Sequence, residues 1–196
     1  MFHEMSAGMV ECMRRLQSLD AEQRKQGVPT VDRLCAVSPE TGRFLALLAA
    51  TVPSGALLEI GTSGGYSTLW LALAARVRGQ CVQSFERSAA KLSIARDTFA
   101  RSDVTDIINV TEGDVRNFLP DCRAVAFCFI DHEKSQYIEC YEMLMPNLVA
   151  GAIIAADNIH SHEEALAPFV DHVIADSRVD AVVIPIGKGV LLVRKI

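Results

Sequence analysis

Leu57-Leu58-Glu59-Ile60-Gly61-Thr62-Ser63-Gly64-Gly65-Tyr66-Ser67 runs from an apolar β segment through a glycine-rich turn into a stretch with helical spacing. Such a junction is where an α/β sheet holds a nucleotide-like ligand. Glycines let the backbone pass close to the ligand, and the N-terminus of the following helix offers free N–H groups to a negative group. A dinucleotide fingerprint would need glycine at position 63, where the chain has Ser63, so the NAD reading is weakened. What stays is an acid two residues before the first glycine, then Gly61, Gly64 and Gly65, with Gly61 and Thr62 at the turn as ligand contacts.

Outward from this turn the apolar pattern changes period repeatedly. Short β-rich runs stand at Ala56–Ile60, Cys81–Phe85, Ile107–Val110, Val125–Ile130, Ala152–Ala155, Ala181–Pro185 and Val190–Val193. Between most of them lie helical spacings at Pro39–Thr51, Gly65–Arg76, Ser88–Ala100, Ser135–Leu148 and His162–Asp176. Strand and helix in alternation predict parallel strands joined by crossovers. The runs VAFCFI and GAIIAA are apolar at nearly every position, as central strands covered on both faces are. Ser38 before Pro39, and Ser88, read as helix N-caps. Only Ile186-Gly187-Lys188-Gly189 separates the last two β runs, so they should pair as an antiparallel hairpin. The expected fold is α/β: a Rossmann-like, doubly wound, seven-stranded and mostly parallel sheet ending in an antiparallel hairpin.

At 196 residues, 50% of them hydrophobic, the chain has material for one domain with its own core. Residues 1–36 are expected to form an N-terminal helical segment that packs loosely or against a partner, and 37–196 the core. Nineteen Lys and Arg against 24 Asp and Glu leave a net charge of −5, which argues against nucleic acid as the main partner. The longest apolar stretches, such as Leu148–Ala156, fall well short of the ~20 residues a membrane span needs. The opening Met1-Phe2-His3-Glu4-Met5 lacks a basic and then apolar leader, so the expected address is the cytoplasm. Cysteines 12, 35, 81, 122, 128 and 140 form no C-x-x-C pair and read as buried, reduced thiols.

Two groups of residues carry chemistry. Glu86, at the end of the second β run, is placed to accept both hydroxyls of a ribose. After the third run, Asp114 could meet an adenine amino group and Val115 could pack on the ring. Asp131 ends the fourth run, and Asp157-Asn158 ends the fifth. Parallel strands share one carboxyl rim, so these oxygen ligands should gather beside the glycine turn. Two carboxylates and an amide form a hard set suited to Mg²⁺ or a similar divalent cation. Lys134, just past Asp131, could take a proton from a hydroxyl held near such a cation. His160 and His162 are scattered over loops and are poor ligand candidates, while His132 more plainly faces the ligand.

In these residues the chain resembles the cation-dependent class I S-adenosylmethionine O-methyltransferases, typified by the catechol and caffeoyl-CoA enzymes. The resemblance runs from about Val37 to the C-terminus, through LLEIGTSGGYST, the acid of SFERS, EGDV, FIDHEKSQY, AADN and PIGKGVLL. It implies that Val37, Glu59, Gly61, Ser67, Glu86, Val115 and His132 line an S-adenosylmethionine pocket, with Ser67 at the methionyl carboxylate and Glu86 at the ribose. It further implies that Asp131, Asp157 and Asn158 hold Mg²⁺, that Lys134 is the general base, that the acceptor is a small, catechol-like aromatic, and that a homodimer forms.

Two departures bear on the acceptor. The segment after Asp157-Asn158 is short and has no tryptophan, and Lys188 stands where the family carries an acid in the last hairpin turn. Two other readings stay open at this stage: a metal-independent methyltransferase, and a nucleotide-binding oxidoreductase or non-catalytic binding module.

Overall fold

The computed structural model describes residues Met5–Ile196. Seven strands, β1 (Ala56–Ile60), β2 (Val82–Glu86), β3 (Ile108–Glu112), β4 (Val125–Ile130), β5 (Leu148–Ala156), β6 (Val179–Ile184) and β7 (Val190–Lys195), form one sheet in the order β3-β2-β1-β4-β5-β7-β6. Strands β1 to β5 pair in parallel, and β7 runs antiparallel to both β5 and β6. The doubly wound sheet with its C-terminal hairpin is the architecture the alternation of periods predicts.

Six helices cover the two faces: α1 (Ala7–Lys25), α2 (Pro39–Thr51), α3 (Tyr66–Arg78), α4 (Ala89–Ser102), α5 (Tyr137–Leu144) and α6 (Glu163–Ile174). Alternate residues of the central strands feed opposite layers. Leu57, Phe127 and Phe129 pack with α1 to α4, while Leu58, Cys128 and Ile130 pack with α5 and α6. Ser38 and Ser88 cap α2 and α4 as expected, accepting from the backbone N–H of Thr41 and Lys91.

Three expectations need correction. Helix α1 does not pack loosely: Met9, Cys12, Met13 and Leu16 are buried in the core beside α3 and α4. Met9 and Met13 therefore face their own chain. The single helix expected over Ser135–Leu148 is a 3₁₀ turn at Lys134–Gln136, then α5, then a second 3₁₀ turn at Met145–Asn147 containing Pro146. Proline lacks the N–H to continue a helix, so the chain turns extended four residues earlier than the expected start of β5. The register of β4 against β5 shifts there, around Gly151 at φ +77°. Among the cysteines, all six are free, but Cys81 is exposed and Cys35 half-buried.

Candidate active site

The carboxyl ends of β1, β2, β4 and β5 open onto one cavity of about 900 Å³, ample for a nucleoside cofactor and a small second ligand. Its floor is the glycine turn. Gly61 has φ +105°, and a Cβ there would strike the carbonyl of Asp131, so only glycine lets the ends of β1 and β4 come this close. Ser63 adopts a left-handed φ of +49° with a side chain in place. Its backbone N–H donates to Glu86 Oε2 at 2.8 Å and its hydroxyl to the Leu34 carbonyl at 2.7 Å. Those two bonds hold a conformation that serine adopts reluctantly.

Most of the expected cofactor residues meet in the cavity wall: Val37, Gly61, Thr62, Ser67, Glu86, Asp114, Val115 and His132. Glu86 is fixed by the N–H groups of Ser63 and Ser88, one to each oxygen, and each oxygen keeps a lone pair for a ribose hydroxyl. Asp114 pairs with Arg116, whose hydrogen bonds hold its carboxyl down at about 2, so it stays a charged acceptor at any ordinary pH. His132 lies half-buried, stacked on Tyr137 at 5.3 Å; burial, helped by the charge of Lys134, lowers its pKa to about 3 and keeps the ring neutral. Its Nδ1 is buried without a partner.

Glu59 is the exception. It does not line the cavity but lies fully buried beneath the turn, accepting from Ser67, Thr68 and Ser84 hydroxyls at 2.6, 2.5 and 2.5 Å. Burial raises its pKa to about 7 against the pull of those three donors. While Glu59 is ionised, the Ser67 hydroxyl donates to it from the cavity side of the turn.

Asp131 and Asn158 line the cavity, whereas Asp157 lies buried between β5 and Asn158 and is not part of its wall. Asp157 is 2% exposed, accepts from Asn158 Nδ2 at 3.0 Å through Oδ2, and leaves Oδ1 buried with no hydrogen-bond partner. Burial first, and the neighbouring charge of Asp131 second, raise its pKa to about 7. A buried, orphaned carboxylate oxygen beside a second carboxylate is what a hard cation would satisfy. Among the described residues no three His, Cys, Asp or Glu gather as a ligand set; the candidate set is two acids and an amide. His160 is exposed and outside the cavity wall, while His162 lies within it. Lys134 Nζ donates to Asp131 Oδ1, the His132 carbonyl and the Tyr137 hydroxyl at 2.9–3.0 Å.

Sequence reasoning missed the strap Thr30–Ala36, which lines the cavity and whose Leu34 carbonyl accepts from Ser63 of the glycine turn. It is tied to α1 by Asp20 Oδ1, which accepts from Cys35 N, and Gln23 Oε1, which accepts from Leu34 N. The polar face of α1 carried that signal, but nothing local named its partners.

The sequence profile of the O-methyltransferase family matches residues 3–196. The chain belongs to the O-methyltransferase family. The match takes in α1 as well as the region from Val37 onward. Among curated relatives, a catechol O-methyltransferase from Mycobacterium tuberculosis is 35% identical over 63% of this chain and 57% of its own length. One from Niastella koreensis is 30% identical over 68% and 60%. The aligned part of the chain thus spans less than two thirds of these two relatives. Among solved structures, an O-methyltransferase from Bacillus cereus in complex with SAH superposes with a TM-score of 0.79 at 26% identity, covering 95% of this chain and 91% of that one. In this family member, no described helix is long and apolar enough to cross a membrane.

Proposed function

We propose that the protein is an S-adenosylmethionine-dependent O-methyltransferase that transfers a methyl group to one hydroxyl of a small, catechol-like acceptor held on Mg²⁺. The orphaned, buried Oδ1 of Asp157 beside Asp131 carries the metal part of the reading, and the wall from Gly61 to Glu86 and Val115 carries the cofactor part.

In this reading Glu86 receives the ribose hydroxyls, Asp114 the adenine amino group, and Val115 one face of the base. His132, neutral and stacked on Tyr137, walls the cofactor from the other side. Asp131, Asp157 and Asn158 would hold the cation, and when bound it would supply Lewis-acid chemistry that lowers the acceptor hydroxyl pKa. Lys134 takes the hydroxyl proton on Nζ while the methyl moves from sulfonium sulfur to oxygen and the neutral thioether leaves. All three of its N–H directions are spoken for as it stands, so it serves as a base only after giving one proton to solvent. The rate comes from alignment and charge placement more than from covalent chemistry.

A metal-independent methyltransferase finds one observation in its favour, the Lys134–Asp131 ion pair, which neutralises Asp131 without a cation. That pair leaves Asp157 Oδ1 unsatisfied. The deciding experiment is methyl transfer from S-adenosylmethionine to catechol with Mg²⁺ and with EDTA, products read by mass spectrometry, alongside calorimetric titration with S-adenosylmethionine and NAD. Turnover indifferent to EDTA overturns the metal role; NAD binding without S-adenosylmethionine binding overturns the whole reading.

A further inference from the structure

The turn between β6 and β7 is clamped from two sides. The segment leaving Asp157-Asn158 donates three backbone N–H groups to it: Ile159 to the Gly189 carbonyl at 3.0 Å, and His160 and Ser161 to the Lys188 carbonyl at 2.9 and 3.3 Å. On the other side Gly187, at φ +56°, presses on Thr41 at the start of α2 so closely that a Cβ would collide with its hydroxyl. Position 188 is therefore held in fixed register with the metal-ligand candidates, and its side chain lines the cavity with Asn158, Ser161, His162 and Ala165.

Lys188 is half-buried there, and among the described residues it has no ion-pair partner, whereas Lys134 on the same wall is paired with Asp131. The cofactor end of the cavity lies at the glycine turn, so this cation stands at the acceptor end. A half-buried, unpaired ammonium fits an anion and repels a cation.

We propose that Lys188 makes this site select acceptors bearing an anionic substituent, a ring carboxylate in addition to the two hydroxyls, over neutral or cationic ones. The inference rests on the acceptor class proposed above. The test compares 3,4-dihydroxybenzoate, 4-methylcatechol and 3,4-dihydroxybenzylamine with S-adenosylmethionine and Mg²⁺, for the wild type, Lys188→Met and Lys188→Glu. Calorimetric affinity for S-adenosylhomocysteine serves as a check on folding and on the cofactor site. The carboxylate is expected to show kcat/KM about tenfold above the neutral compound in the wild type, with the ratio falling to about one in Lys188→Met and the order turning toward the amine in Lys188→Glu. Calorimetry of 3,4-dihydroxybenzoate itself, on protein saturated with S-adenosylhomocysteine, should show the same loss of affinity on Lys188→Met. Equal kcat/KM for all three in the wild type, or a preference that survives Lys188→Met, overturns the proposal. So does a tenfold loss of S-adenosylhomocysteine affinity in Lys188→Met, since Lys188 would then serve the cofactor's own carboxylate. If none of the three is methylated by wild type that binds S-adenosylmethionine, the acceptor class itself is wrong and the preference falls with it.

Discussion

Lys134 Nζ donates to Asp131 Oδ1 across 3.0 Å, joining the proposed base to a proposed metal ligand on one wall of the cavity. Lys134→Met should lower turnover by about 10²-fold or more while leaving S-adenosylhomocysteine affinity nearly unchanged. Lys134→Arg keeps a cation beside Asp131 but cannot give up its proton. If pairing with Asp131 were the whole role, Lys134→Arg would retain activity; steady-state kinetics on both variants separates the two.

Asp157→Asn removes a buried charge that lies against Asp131 and has one oxygen unsatisfied. It should stabilise the metal-free protein by about 1–3 kcal/mol and, at the same time, abolish the rise in Tm that Mg²⁺ is expected to give the wild type. Thermal melts with and without Mg²⁺ read both effects, and an unchanged Mg²⁺ response would remove Asp157 from the ligand set.

Glu59, raised by burial to about 7 from an ordinary 4.5, holds its proton more tightly in the folded chain than in the unfolded one. Between those values the folded state binds the extra proton, so this group's contribution to stability falls as pH rises from about 4.5 to about 7, and the loss persists above that. Glu59→Gln lacks this titration. The Tm of Glu59→Gln relative to wild type should therefore climb from pH 5 to pH 8 and then level, and a flat difference would contradict the burial argument.

Glu86→Ala leaves two backbone N–H groups, those of Ser63 and Ser88, without their acceptor, and would leave the ribose hydroxyls of the proposed cofactor unpaired as well. Cofactor affinity should fall by about 1–3 kcal/mol, measured calorimetrically with S-adenosylhomocysteine.

Leu16 of α1 lies against Gly64 of the glycine turn and is buried in the core. Leu16→Ala should cost about 2–5 kcal/mol of stability in denaturant unfolding. A surface helix would give a change within about 0.5 kcal/mol.

Much of the site was legible because it is local in sequence. The glycine turn, Glu86, Asp131 and Asp157-Asn158 each end a recognisable strand, and a parallel sheet must bring strand ends to one rim. Glu59 was legible as a strand-end acid but not as a buried one. Its place depends on three hydroxyls, of which Ser67 and Thr68 come from α3 and Ser84 from β2. The break at Pro146 and the early start of β5 were hidden because residues 148–151 carry too weak an alternation to mark a strand.

The order of periods along the chain determined the sheet, its winding and which residues could meet a ligand, since hydrophobic burial at period 2 or 3.6 leaves few topologies. Only the tertiary structure decided which of those residues face the cavity. It turned Glu59 inward, buried Met9 and Met13 of α1, set the strap Thr30–Ala36 in the cavity wall, and left Lys188 in that wall without an ion-pair partner among the described residues. Those outcomes depend on contacts between residues far apart in the chain, whose burial and pairing no local pattern encodes.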